Sequence, residues 1–272
     1  MDGLASRPPT ALMISPHLDD VAFSCGGTAS VLRRRGWRVV VATVFTASFP
    51  APSGFALACQ LDKGLPPEVD YLAIRRREDE TFGRAVAPGI ELRRLGLAEA
   101  PHRGYESAAA LFAGVREDDP ARGQAALLIG GLVDEVAPDL VLAPRAVGGH
   151  VDHRQVVGAL LSLPGLDDRL AWYRDLPYAE KFANAPGDPR LPDDLVEVVV
   201  PFGPLDLVAK LDGCACYATQ VPFQFGGEDE MRRRLGEFAS LEASRFGQDG
   251  HAETFLAPPS LVGRSAGLFL RT

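Results

Sequence analysis

Residues 11–15 (ALMIS) and 37–45 (WRVVVATVF) are two short apolar runs separated by a segment of helical character that ends at Arg33–Arg35 and Gly36. Cations favour a helix C-terminus and glycine stops it, so the segment reads as β–α–β. Such a unit joins parallel strands, and parallel sheets are covered on both faces. This pattern narrows the fold to the α/β class.

The rest of the chain extends that reading. Residues 46–70 are rich in Ala, Pro, Ser and Gly, and read as a long surface loop of the kind that serves as a lid. A helix is expected over 71–86, a strand over 90–95, and an irregular stretch over 97–121. A helix at 123–136 leads into a strand at 139–143 and a helix from about 153 to 163. Strands are expected at 169–175 and 194–201, helices at 204–218 and 228–244, and short closing strands in the tail (FLAP, LFLR). No linker divides the chain. The division read here is one domain over 1–272, with a core at about 9–165 and a C-terminal α/β extension over 166–272 packed on it.

Composition excludes some functions. With 272 residues, 46% hydrophobic and 24% charged, the chain can bury a core without staples. A formal charge of -8 argues against a nucleic-acid partner. No run of about 18 apolar residues occurs, so no membrane span is expected. The four cysteines form no CxxC pair, which suits a reducing cytoplasm. Cys214 and Cys216 read as small buried residues on a helix.

The chemistry lies in the histidines. Of five, three fall in two clusters, Pro16-His17-Leu18-Asp19-Asp20 and His150-Val151-Asp152-His153, each following a strand. Ligands of open α/β sheets bind at such strand ends, so the clusters can meet. Alone, either has a bland reading, as a helix N-cap or a solvated loop. Together they make a set. Catalytic zinc takes three His or carboxylate ligands and keeps a fourth position for water, and His17, Asp20 and His153 supply three. Iron(II) also suits nitrogen and oxygen donors. Asp19 stands beside them as a base for the attacking water. His150, as imidazolium, would stabilise an oxyanion or protonate a leaving amine, with Asp152 orienting it and raising its pKa.

Ser15-Pro16-His17-Leu18-Asp19-Asp20 with Cys25-Gly26-Gly27, and His150 to His153, resemble the PHxDD(E), CGG and HxDH motifs of the LmbE-like (PIG-L) zinc-dependent N-deacetylases. Arg75 and Glu78 resemble an intervening RxxE element, and weaker likeness runs through Tyr173–Tyr178 and Lys210–Gln220. The resemblance implies a Rossmann-like three-layer α/β sandwich with a mainly parallel central sheet. It implies His17, Asp20 and His153 as zinc ligands, Asp19 as base, and His150 with Asp152 as stabiliser. It also implies hydrolysis of N-acetyl (acyl) groups on GlcNAc-containing small molecules or conjugates. Val21 stands where the common motif has Glu, and Tyr217 where the family often has His.

Arg75, Tyr173 and Tyr217 are the candidate substrate contacts, and Asp175 and Tyr178 further candidates for the pocket wall. Gly148 and Gly149 read as backbone freedom for the second motif's loop, and Gly26 and Gly27 as sites of close packing. His102 and His251 read as surface residues. Two other readings compete: a non-enzymatic Rossmann-like binding module, against which the missing glycine fingerprint weighs for nucleotides, and a metal hydrolase acting on another amide or ester. The sequence leaves open whether the chain forms a homo-oligomer.

Overall fold

β1 (Thr10–Ser15) is buried along its whole length, and β2 (Arg38–Phe45) at all but its first residue. Strands without a solvent face belong in the middle of a sheet covered on both sides. The computed structural model, which describes residues 7–182, 185–265 and 267–271, places them there. The remaining strands are β3 (Glu91–Leu97), β4 (Leu140–Pro144), β5 (Leu170–Tyr173), β6 (Val196–Phe202) and β7 (His251–Ala257). They form one seven-stranded sheet in the order β3-β2-β1-β4-β5-β7-β6. β3, β2, β1, β4 and β5 run parallel, and β7 is antiparallel to both β5 and β6.

Alternation along β1 divides the core into two. Ala11 and Met13 pack toward α1 (Asp20–Arg34), α3 (Tyr71–Val86), α7 (Pro204–Ala215) and α9 (Glu228–Arg245). Leu12 and Ile14 pack toward α4 (Ala121–Val136) and α5 (Val151–Leu161). The three-layer sandwich expected from the sequence is the fold observed. Among the described residues no helix is long and apolar enough to cross a membrane.

Two expectations need correction. The 46–70 stretch contains α2 (Gly54–Leu61), whose Ala-rich sequence looks like loop but has good helix propensity. The FLAP segment is the C-terminal half of β7, inside the sheet, while of LFLR only Leu270 pairs, in one bridge to Val199. The stretch beyond residue 165 supplies β5, β6 and β7 of the common sheet. Three short helices complete the chain: α6 (Tyr178–Lys181), α8 (Val221–Phe225) and α10 (Pro259–Arg264).

The chain builds outward from β1 through β2 to β3, then returns to place β4 on the other side of β1. That reversal is the switch point at which α/β sheets open a crevice. The two histidine clusters follow β1 and β4.

Candidate active site

α1 begins directly at the first cluster. Asp19 is its N-cap residue, yet its side chain makes no capping bond. The carboxylate is therefore free for other work, and the bland capping reading fails. Asp20 turns back instead, and its Oδ2 accepts the His17 N–H at 2.7 Å. α1 then breaks at Cys25 (φ −142°, ψ 27°). The break frees backbone donors within a buried helix, and unpaired buried N–H groups are costly. Glu253 of β7 takes them: Gly27 N–H at 3.0 Å, and Thr28 N–H and Oγ1 at 2.7 and 2.6 Å. Lys210 of α7 neutralises Glu253 at 2.6 Å. The two glycines admit this close packing. A Cβ on Gly26 would lie 3.2 Å from Lys210, and one on Gly27 only 2.7 Å from the Phe202 ring.

The second cluster follows β4 on a loop that Gly148 (φ 81°) and Gly149 (φ 79°) turn through left-handed backbone, as their sequence suggests. His150 caps α5, its Nδ1 accepting the Asp152 N–H at 3.2 Å. His153 lies one turn further, fully buried.

The clusters converge across β1 and β4. Asp20 Oδ2 lies 3.4 Å from His17 Nδ1 and 3.4 Å from His153 Nε2. Three donors held 2.0–2.2 Å from one tetrahedral ion stand about 3.4 Å apart, so the spacing fits. His153 Nε2 is buried and has no hydrogen-bond partner. The outward nitrogens are both anchored by carboxylates: His17 Nε2 by Asp152 at 3.0 Å, and His153 Nδ1 by Asp175 at 2.6 Å. Carboxylate–histidine pairs of this kind orient imidazoles around metals. Burial alone would raise the Asp20 pKa, but His153 and His17 hold it down to about 2. A second triad, His17, His150 and Asp152, is also close enough to bind an ion. Its carboxylate, however, already receives Arg103 and the Ala100 N–H.

Asp19 is buried beside this centre, and its Oδ1 accepts Arg75 Nη2 at 3.1 Å. Burial raises its pKa, with Arg75 opposing. Arg75 also pairs with Glu99 at 2.7 Å. Glu78 does not pair with Arg75; it receives the Thr219 N–H and hydroxyl, both at 2.8 Å, and so braces the 217–220 turn.

A cavity of about 340 Å³ opens over the centre. Asp19, Asp20, Arg75 and His150 line it, with Phe112 and Tyr178 among its walls. Tyr173 and Tyr217 do not reach it. Tyr173 is core, its hydroxyl donating to Ile14 O at 3.0 Å. Tyr217 is core as well, donating to Asp79 at 2.8 Å and packed against Phe23 and Phe82. Asp175 supports His153 rather than facing the pocket. His102 is half-buried and stacked on Phe49 with ring centroids 3.9 Å apart.

His150 departs from expectation. Burial lowers its pKa to about 3, outweighing the field of Asp152, so the ring is neutral. Because Nδ1 accepts a backbone N–H, the proton sits on Nε2. The Asp152 carboxylate orients His17, not His150.

Fold and site together are those of a hydrolase that works through a divalent ion. The PIG-L family, described as GlcNAc-PI de-N-acetylase, matches residues 12–163, and this chain belongs to that family of metal-dependent N-deacetylases. A 2'-N-acetylparomamine deacetylase of Streptomyces fradiae is 34% identical over 235 residues, covering 85% of this chain and 80% of that protein. A teicoplanin deacetylase solved in a zinc-inhibited form superposes with a TM-score of 0.77 at 26% identity, covering 91% of this chain and 97% of that one. An N,N'-diacetylchitobiose deacetylase from Pyrococcus horikoshii shares the fold at 18% identity, with a TM-score of 0.59 over 94% of this chain and 86% of that one.

Proposed function

We propose that this protein removes the acetyl group from the nitrogen of an amino-sugar conjugate, with His17, Asp20 and His153 holding one zinc ion. The observation that carries the reading is the 3.4 Å spacing of Asp20 Oδ2 from both imidazoles, beside a buried and unpartnered His153 Nε2. Zinc, when bound, acidifies its water and polarises the amide carbonyl. Asp19 takes the proton as the water oxygen bonds to the carbonyl carbon. Its burial favours the protonated form, and the Arg75 contact fixes its direction. The neutral His150 donates its Nε2–H to the developing oxyanion. As the C–N bond breaks, Asp19 returns its proton to the departing amine, leaving acetate and a free amino sugar.

The whole chain, 1–272, works as a single catalytic domain, because Asp175 and Glu253 lie beyond the family-matched segment and support residues within it. The relatedness to the paromamine enzyme makes 2'-N-acetylparomamine the first substrate to try, beside N-acetylglucosamine. Metal analysis of purified protein, with acetate release as the assay, tests the reading and separates zinc from iron(II). D19N should keep the zinc stoichiometry and lose about 10²–10⁴-fold in turnover. A D19N protein that turns over at the wild-type rate, or a wild-type chain that binds no metal, would falsify it.

A further inference from the structure

The irregular stretch between β3 and α4 contributes an arginine that no motif marks. Arg103 ends a short 3-10 turn, Ala100–Arg103. Its guanidinium lies between two carboxylates that are fully buried, Asp119 and Asp152, and is itself only 8% exposed. Nε and Nη2 reach both oxygens of Asp119 at 3.0 Å. Nη2 also reaches Asp152 Oδ1 at 2.6 Å. Nη1 donates to Ala98 O, and the group stands 4.9 Å from the Phe45 ring centre. Asp152 Oδ2 faces the other way, receiving the Ala100 N–H and His17 Nε2, both at 3.0 Å.

We infer that Arg103 is a positioning residue for the metal centre, acting through Asp152 on His17 and latching the 98–121 segment that walls the cavity to the same carboxylate. The inference rests on the assignment of His17 as a metal ligand. The physical reason is twofold. A buried carboxylate without a cation is expensive, so Asp152 keeps its place only while Arg103 is there. With Oδ1 committed to Arg103, only Oδ2 is left for His17. The imidazole is then held with Nδ1 toward Asp20, and loss of a partner of this kind typically weakens metal binding about 10–100-fold. The latch is also shared. Asp119 accepts the Tyr105 hydroxyl at 2.9 Å and the Ala121 N–H at 3.0 Å, fixing both ends of the segment that carries Phe112 into the cavity wall. One arginine therefore ties ligand orientation to the shape of the substrate wall.

The test compares R103M, R103K and R116M. Arg116 lies on the same segment but pairs with the exposed Asp118. Zinc Kd is measured by chelator competition, together with the visible spectrum of the cobalt(II)-substituted protein and KM for 2'-N-acetylparomamine. R103M should bind zinc about 10–100-fold more weakly, shift the cobalt spectrum and raise KM. R103K, which keeps the charge but not the fork, should fall between it and the wild type, and R116M should match the wild type. A wild-type zinc Kd and cobalt spectrum in R103M, with only Tm lowered, would reduce Arg103 to a structural role and overturn the inference. If R103M does not fold, R103K decides: a wild-type Kd there overturns it equally. Weakening in R116M as large as in R103M would place the effect in the segment and not in Arg103. A wild-type chain that takes up no zinc removes the ligand assignment itself, a different failure from an unaltered R103M.

Discussion

The residues before 165 and those after it divide the work of the site unevenly. The first region holds His17, Asp19, Asp20, His150 and His153 on the loops and first helical turns after β1 and β4, as a parallel switch point dictates. Among the described residues the second places none in the two groups that could hold a metal ion, yet it anchors the first at several points. Asp175 holds His153, Glu253 and Lys210 hold the broken α1, and Tyr217 and Thr219 hold Asp79 and Glu78 of α3. Reactive groups come from short strand-end motifs, where one crevice collects them. Their alignment comes from buried hydrogen bonds reaching across 22 to 226 positions of sequence.

That division can be broken at either side. Asp20→Ala attacks the reactive side and should show the largest effect. Turnover should fall at least as far as the loss of a general base, about 10²–10⁴-fold, but with zinc content lost too, which separates it from D19N. Glu253→Ala attacks the anchoring side, leaving Lys210 and two backbone donors buried without partners. Urea unfolding should show a loss of about 3–5 kcal/mol, the cost of orphaning one member of a buried ion pair. Full stability in this variant would mean that the break in α1 does not need its cap. Asp175→Asn should be milder in stability but should weaken zinc binding about 10–100-fold in a chelator titration. An unchanged affinity would confine the tuning of the centre to the first region.

A pH-dependent effect lies at the seam. Burial raises the Asp79 pKa from its ordinary 3.8 to about 7, with the Tyr217 hydrogen bond, Arg94 and Arg75 opposing. The folded chain therefore holds a proton that the unfolded chain has released between about pH 4 and 7. Stability should fall as pH rises through that window and level off above it, with a slope of at most about 1.4 kcal/mol per pH unit from this group. In Asp79→Asn that contribution disappears. An identical pH dependence of Tm in the two proteins would show that Asp79 does not titrate as its burial dictates.

What the sequence reveals follows the same division. The strands around α1, the 71–86 helix and the two histidine clusters are visible because each is a local pattern of apolar spacing or adjacent ligands. Arg103 and Glu253 are not visible. Each is a single charged residue with ordinary neighbours, and its role exists only once distant strands are in place. Asp175 drew attention as a candidate wall residue, but its partner His153 is 22 positions away. Tyr173 and Tyr217 mislead for a related reason: a tyrosine beside a weak motif looks like a substrate contact, whereas Ile14 O and the Asp79 carboxylate satisfy these hydroxyls inside the core. α2 is missed because Gly, Ala and Pro around it look like loop. The neutral state of His150 depends on burial, which spacing does not encode.

The position of β7 has a consequence for how the molecule is made. Its residues, 251–257, are inserted between β5 and β6, strands that leave the ribosome earlier. Once residue 153 has emerged, the chain already carries every group of the His17–Asp20–His153 triad. It still lacks the aspartate that steadies one imidazole and the glutamate that caps the broken helix. The glutamate that caps the broken helix thus joins the sheet only with its last strand in sequence, set between two strands made before it.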